Sequence, residues 1–249
     1  MNLSYMDADY ADVRARLDAA RARVGNPDVL LVAAVKYTDA EHINYLTQKL
    51  GVRDLGENRV QQLLEHWDTI DRTDVRFHFI GTLQSNKVKC IIDKVTMIHS
   101  VDSLSLAKEI DRQAAKHGLV MDVLCEINSG REENKSGVMP EDAPEFCRSL
   151  VAFPHLNLRG FMTMAPHCNN SEGYRKFFRE TFRQGLDIWE KNLHNIGRPV
   201  FSMGMSESFE TAIEEGATIV RVGRSLFAAP DTTHPASPAS EPNTTDKEI

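Results

Sequence analysis

The sequence predicts an α/β protein built as one (β/α)8 TIM-type barrel, with an extra N-terminal helix and a disordered C-terminal tail. Three observations predict it. Short apolar, often β-branched runs alternate with longer amphipathic ones through eight strand candidates, the pattern of a parallel sheet with helical crossovers. The length of 249 residues suits a barrel, because units of roughly 250 residues close around a single core. No G-x-G-x-x-G follows the first strand, where Val35-Lys36-Tyr37-Thr38 stands instead, so the main mark of a doubly wound open sheet is missing.

The elements follow in order. Ala8–Val24 reads as a leading helix closed by Asn26-Pro27, since proline cannot continue a helix. The apolar run Val29–Val35 is the first strand, and the amphipathic stretch Ala40–Leu50 is the first crossover. Val52–Leu55, Phe77–Ile80 and Met97–Ser100 read as the next strands, separated by helical patterns at Val60–Trp67 and Ser85–Asp93. Ser103–His117 opens on a serine suited to an N-cap and leads to the long apolar strand Val120–Ile127. Glu141–Val151, Leu158–Thr163, Tyr174–Leu193, Val200–Met203, Glu207–Glu215 and Thr218–Val222 complete the alternation. From Pro230 the chain turns rich in Pro, Ser, Thr and Ala with little to bury, so residues 1–229 are expected to form the barrel and 230–249 a disordered tail.

Bulk properties exclude several classes. A net charge of −7 and a pI near 5.7 argue against a nucleic-acid-binding face, yet leave room for a local cationic pocket. Cys90, Cys125, Cys147 and Cys168 are scattered without a C-x-x-C pair, which reads as a reduced, cytoplasmic protein, with Cys125 a small core residue. The charged opening segment lacks the apolar core of a secretory signal, and no run reaches the roughly 20 apolar residues of a membrane span. No histidine pair has the spacing of a helical metal site.

A barrel gathers its functional groups where strands end at the C-terminal face. Lys36 stands just beyond the first strand, where position alone favours a solvated lysine at a strand end, although a lysine amine backed by apolar residues is also the group that condenses with an aldehyde. Polar residues and glycines recur at later strand ends: Gly56-Glu57-Asn58, Gly81-Thr82, Asn134-Lys135-Ser136-Gly137 and Gly160-Phe161-Met162-Thr163. The loops after the last two strands carry Met205-Ser206 and Gly223-Arg224-Ser225, where barrels frequently bind phosphate through backbone N–H groups and hydroxyls. The plainer reading of the first of these is a helix N-cap at Ser206 with Glu207 in the first turn. His78 within a strand reads as a satisfied wall residue, Glu57 as the partner of a nearby cation as readily as a catalytic group, and Trp67 and Trp189 as packing anchors.

In combination, Val35-Lys36, Gly56-Glu57-Asn58-x-x-Gln61, His78-Phe79-Ile80-Gly81-x-Leu83-Gln84-x-Asn86-Lys87, Lys135-x-Gly137, Gly160-x-Met162, Gly204-Met205-Ser206 and Arg221-x-Gly223 resemble the pyridoxal phosphate homeostasis proteins, the YggS/PROSC-like family. The resemblance runs in order from about Val29 to Ala228. It implies a barrel like the N-terminal domain of alanine racemase and pyridoxal 5′-phosphate (PLP) as cofactor, carried as a Schiff base on Lys36. It further implies that Ser206, Gly223 and Arg224 hold the phosphate, the last through its backbone N–H at least. Arg221 would face the pyridine nitrogen, and Asn58 and Met162 would line the ring. Three residues depart from the family's usual pattern: Val35 in place of Ser or Thr, Asp39 in place of Pro, and Arg224 in place of Ser or Thr.

An arginine at the ring nitrogen only donates hydrogen bonds, which weakens carbanion chemistry but leaves imine exchange untouched. The racemase's second base comes from an additional domain that this chain, ending its barrel near Ala229, does not supply. The expectation is therefore a PLP carrier serving vitamin B6 homeostasis, monomeric, with apo PLP enzymes as recipients. Two alternatives stand beside it: an amino-acid racemase of low activity, with Tyr37, Lys135 or His78 as second group, and a barrel that binds a phosphorylated metabolite without PLP.

Overall fold

The computed structural model describes residues 2–26, 28–36, 38–192 and 197–228. Eight parallel strands follow one another around a closed barrel in sequence order. They are β1 (Leu30–Ala34), β2 (Asp54–Glu57), β3 (Arg76–Phe79), β4 (Met97–Val101), β5 (Met121–Ile127), β6 (Leu156–Thr163), β7 (Val200–Ser202) and β8 (Ile219–Val222). β8 closes on β1 with Leu30 beside Ile219 and Ala33 beside Val222. The connecting helices are α2 (Ala40–Asn44), which passes into a π-helical turn at Tyr45–Lys49, α3 (Val60–Thr69), α4 (Leu104–Lys116), α5 (Ala143–Leu150), α6 (Ser171–Asn192) and α7 (Phe209–Glu214). The leading helix α1 (Tyr5–Val24) lies against α7, to which Arg16 and Arg23 are tied through Glu210 and Glu214 at 2.8 Å each.

The predicted alternation is therefore present, and the differences lie at element ends. α1 stops on Gly25, whose left-handed conformation (φ 65°) lets its N–H bond the Arg21 carbonyl, one residue before the expected Asn26-Pro27 stop; Pro27 lies outside the described residues. β2 runs from Asp54 to Glu57 rather than from Val52 to Leu55. The charged Asp54 is tolerated in the strand because Arg76 of the neighbouring β3 pairs with it at 2.5 Å and His78 hydrogen-bonds it at 2.9 Å. The crossover expected over Ser85–Asp93 is a 3-10 turn over Ser85–Cys90. The expected tail from Pro230 lies outside the described residues.

Strand periodicity divides the side chains into two shells. Leu31, Ala33, Val35, Leu55, Phe77, Phe79, Val123, Cys125, Phe201, Val220 and Val222 point away from the barrel axis and join Leu63, Ile110, Leu150, Phe178 and other helix residues in one apolar cluster. Each such Leu, Ile, Val or Phe contributes about 2 kcal/mol of hydrophobic stabilisation on burial. The alternate positions point inward. Val32, Ile80, Leu124, Met162 and Ile219 are buried there, interleaved with the polar His78, His99, Glu126, Ser202 and Arg221. A barrel interior this polar needs internal hydrogen bonds, and their arrangement defines the site above it.

Candidate functional site

On β1 the inward parity of Leu30, Val32 and Ala34 carries on to Lys36, the second residue past the strand. Lys36 is exposed at the mouth of a cleft of about 620 Å3, with Asn58, Gln62, Glu126, Asn128 and Lys135 among the walls. The rim is tied across the cleft by Thr82 and Ser136, whose hydroxyls lie 2.9 Å apart. Two carbonyl oxygens in this cleft, Asn58 Oδ1 and Gln62 Oε1, are buried without a partner among the described residues. Burying such a group unpaired costs about 1–3 kcal/mol, so both mark a place for a ligand's donors.

The loops after β7 and β8 meet beside β1. Gly204 takes a left-handed conformation (φ 89°) and lies so close to α7 that a β-carbon on it would come within 2.6 Å of the Ala212 methyl. The next residues form a turn in which the Ser208 hydroxyl receives the Met205 N–H at 3.2 Å, and the Met205 carbonyl receives the N–H groups of Ser208 and Phe209. The helix starts at Phe209, so its cap position belongs to Ser208, and the expected cap at Ser206 is corrected. Ser206 is thereby left for other work, and its Oγ receives the Gly223 N–H at 3.4 Å. At residue 223 a β-carbon would stand 2.9 Å from the Ala34 carbonyl oxygen, so glycine lets the end of β8 press against β1. The 3-10 turn Arg224–Leu226 follows at once, and the first N–H groups of such a turn lack internal partners. The Arg224 guanidinium is exposed and bound to Glu207 at 2.8 Å, so the structure commits it to a surface ion pair.

Beneath the cleft, Glu126, Met162 and Ser202 lie level on β5, β6 and β7. Arg221 is 4% exposed, and its guanidinium donates to Ser202 O and Oγ at 2.6 Å each and to Thr163 O at 2.9 Å. Burial lowers its pKa to about 10, against the pull of Glu126, so it stays cationic at neutral pH. The Glu126 carboxyl is raised to about 7, by burial first and by Asp102 second, with Arg221 opposing. Glu126 thus titrates near neutrality in the floor of the cleft.

A second buried pair steadies the Lys36 segment. His66 of α3 meets Glu57 at 2.5 Å through Nδ1, and its Nε2–H donates to the Thr38 carbonyl at 2.9 Å. Burial alone would depress His66, but Glu57 and the Thr38 carbonyl together raise it, while burial raises Glu57. The departures at Val35 and Asp39 have local reasons. Val35 is fully buried in the outer apolar cluster, away from the cleft, and Asp39 caps α2 by accepting the His42 N–H at 3.0 Å.

Of the residues singled out from sequence, Lys36 and Asn58 line the cleft itself. Met162 and Arg221 lie buried in the barrel beneath it, Ser206 and Gly223 meet at the β7–β8 edge, and the Arg224 side chain stands apart. Among the proposed second groups, Lys135 lines the cleft, His78 is occupied below it by Asp54 and His99, and Tyr37 lies outside the described residues. Sequence reasoning missed Glu126, Gln62 and His99. The inward parity that marks Lys36, applied to β5, would have marked Glu126.

Comparison with known proteins gives a consistent answer. The family described as "Alanine racemase, N-terminal domain" matches residues 8–230. A "Pyridoxal phosphate homeostasis protein" of Aquifex aeolicus is 42% identical over 207 residues, covering 83% of this chain and 90% of that protein. The structure of PipY from Synechococcus elongatus, determined with PLP bound, is similar at a TM-score of 0.75 and 30% identity, over 86% of this chain and 98% of that one. An alanine racemase of Clostridium difficile shares the fold at a TM-score of 0.73 and 16% identity, over 94% of this chain but 62% of the racemase.

Proposed function

The chain belongs to the pyridoxal phosphate homeostasis protein family, and we propose that it holds PLP through Lys36 and releases it again, serving the supply of the cofactor rather than turning over a substrate. The observation that carries the reading is the convergence of an exposed lysine at the barrel mouth with carbonyl oxygens in the same cleft that are buried without a partner among the described residues, and a glycine–serine cradle at the β7–β8 edge. These features suit an aldehyde-bearing, phosphorylated ring with polar substituents. When bound, PLP supplies an aldehyde carbon that condenses with an amine.

Each residue then has a stated task. Lys36 provides the amine. Ser206 and the backbone N–H groups of Gly223 and Arg224 hold the phosphate, as glycine-rich turns hold anions generally. Asn58 and Met162 line the ring. Arg221 faces the ring nitrogen and, being able only to donate, leaves that nitrogen without a proton of its own. This last choice favours storage over carbanion chemistry. Cytoplasmic location, a monomeric state and apo PLP enzymes as recipients complete the proposal. Free thiols at all four cysteines and the lack, among the described residues, of any helix able to cross a membrane agree with the first of these.

The test combines binding with turnover. The protein mixed with PLP is expected to develop a near-visible absorbance band that borohydride removes, and to leave the α-hydrogen of L- or D-alanine unexchanged in deuterated water at enzyme-like rates. Rapid exchange would replace the carrier by the racemase reading, and retained phosphate affinity without the band would favour a barrel for some other phosphorylated metabolite.

A further inference from the structure

Below the cleft a continuous chain of hydrogen bonds crosses the barrel interior. Arg221 on β8 donates to Ser202 Oγ on β7 at 2.6 Å, Ser202 Oγ lies 2.9 Å from His99 Nδ1 on β4, and His99 Nε2 lies 3.0 Å from His78 Nδ1 on β3. His78 Nε2 in turn lies 2.9 Å from Asp54 Oδ1 on β2, and Arg76 grips the same carboxylate at 2.8 and 2.5 Å. His78, His99, Ser202 and Arg221 are all buried to 95% or more, so their hydrogens must be accounted for internally.

The ends of the chain dictate its direction. Arginine only donates, so Ser202 Oγ is an acceptor at the upper end. At the lower end, burial would raise Asp54, but His78 and Arg76 overcome it and hold the carboxyl below its ordinary range. Asp54 is therefore ionised and only accepts, which puts a hydrogen on His78 Nε2. His99 is fully buried, and burial above all, with the Arg221 cation adding to it, holds it well below the ordinary histidine range, so it is neutral with one N–H. With that hydrogen on Nε2, every donor meets an acceptor: the Ser202 hydroxyl donates to His99 Nδ1, and His99 Nε2–H donates to His78 Nδ1. With the hydrogen on Nδ1, Ser202 would receive two donors while its own hydrogen met neither Arg221 nor His99, and His78 would have to become a cation to fill the gap at His99 Nε2.

We propose that His99 is a positioning residue for Arg221: as the Nε2–H tautomer it takes the Ser202 hydroxyl hydrogen, so that the Ser202 oxygen presents its lone pairs to the guanidinium. Ser202 O, Ser202 Oγ and Thr163 O then use three of the five guanidinium N–H groups, and the other two bond no group among the described residues. The orientation of the cation is thus set from a strand that contributes nothing to the cleft walls, through a relay that reaches the barrel's opposite end. The consequence for PLP rests on the reading above, in which Arg221 faces the ring nitrogen.

Two measurements test the relay and separate it from that reading. Long-range 1H–15N spectra of the ligand-free protein report each imidazole's tautomer directly. The expected result at pH 7 is a neutral Nε2–H ring for His99 and for His78; an Nδ1–H ring or an imidazolium at His99 overturns the proposal. The dissociation constant for PLP, followed by tryptophan fluorescence, is then compared between two variants. In His99→Asn the Oδ1 atom stands in for Nδ1 as acceptor, and affinity is expected to stay within about twofold of wild type. His99→Leu fills the space without accepting, and affinity is expected to fall about tenfold, the weight of one charge-assisted hydrogen bond. Equal losses in both variants overturn the positioning role. Unchanged affinity in both, with the expected tautomer, overturns the assignment of Arg221 to the ligand instead.

Discussion

Replacing Glu126 by glutamine keeps the shape of the side chain in the cleft floor and removes its titration. The carboxyl is 5% exposed and is raised from 4.5 to about 7 by burial and by Asp102. In the unfolded chain the same group ionises near 4.5. Between pH 4.5 and 7 the folded protein therefore retains a proton that the unfolded chain has released, and stability falls as pH rises, levelling off above 7. At about 1.4 kcal/mol for each pH unit, the loss amounts to about 3 kcal/mol, with the attraction of Arg221 already counted. Glutamine carries no such term. Urea unfolding of the ligand-free protein at a series of pH values measures it. The stability of Glu126→Gln relative to wild type is expected to rise from its value near pH 4.5 by about 3 kcal/mol at pH 8. Two pH profiles running parallel across that range would refute the assignment of a raised carboxyl to this position.

Three further perturbations probe the surrounding parts. Glu57 and His66 are both raised, so the folded state binds protons more tightly than the unfolded chain, and the pair's contribution is full at low pH and is lost as pH rises through the folded values. Removing both titrations in Glu57→Gln/His66→Leu is expected to make stability relative to wild type rise between pH 6 and pH 9, as measured by chemical unfolding at both pH values. Arg224→Ala removes only a surface pair with Glu207, so stability should change by about 0.5 kcal/mol or less and PLP affinity by about twofold or less. A tenfold loss of affinity would instead assign the guanidinium to the phosphate. Gly223→Ala forces a β-carbon to 2.9 Å from the Ala34 carbonyl, and is expected to cost about 1–3 kcal/mol and to weaken PLP binding measured by equilibrium dialysis.

The architecture was legible because it rests on local signals. Alternating apolar runs and amphipathic stretches report strand and helix with no knowledge of long-range contacts, and the eight strands stand where those runs stand. The errors fall where a tertiary partner overrides the local rule. The local pattern places the second strand over Val52–Leu55, two residues early, because the pairing that holds Asp54 to Arg76 and His78 of the next strand lies beyond any local window. Ser206 reads as the cap of the next helix, and only the turn made by Met205 moves that place to Ser208. Lys36 and the β7–β8 loops were legible through their place at strand ends. The polar interior was not: His78 and His99 lie 21 residues apart, and His99 and Ser202 lie 103 apart, so no local window contains either pair. Glu126 was hidden differently, as one charge in an apolar run whose inward parity becomes meaningful once the barrel is closed.

The central claim, that Lys36 holds the cofactor, is tested most directly by reducing the protein–PLP mixture with borohydride, digesting it and mapping the added mass by peptide mass spectrometry. The account predicts one phosphopyridoxyl group on the peptide containing Lys36 and its loss in Lys36→Ala. An added mass on Lys135 in the same cleft, or on no lysine at all, would contradict it.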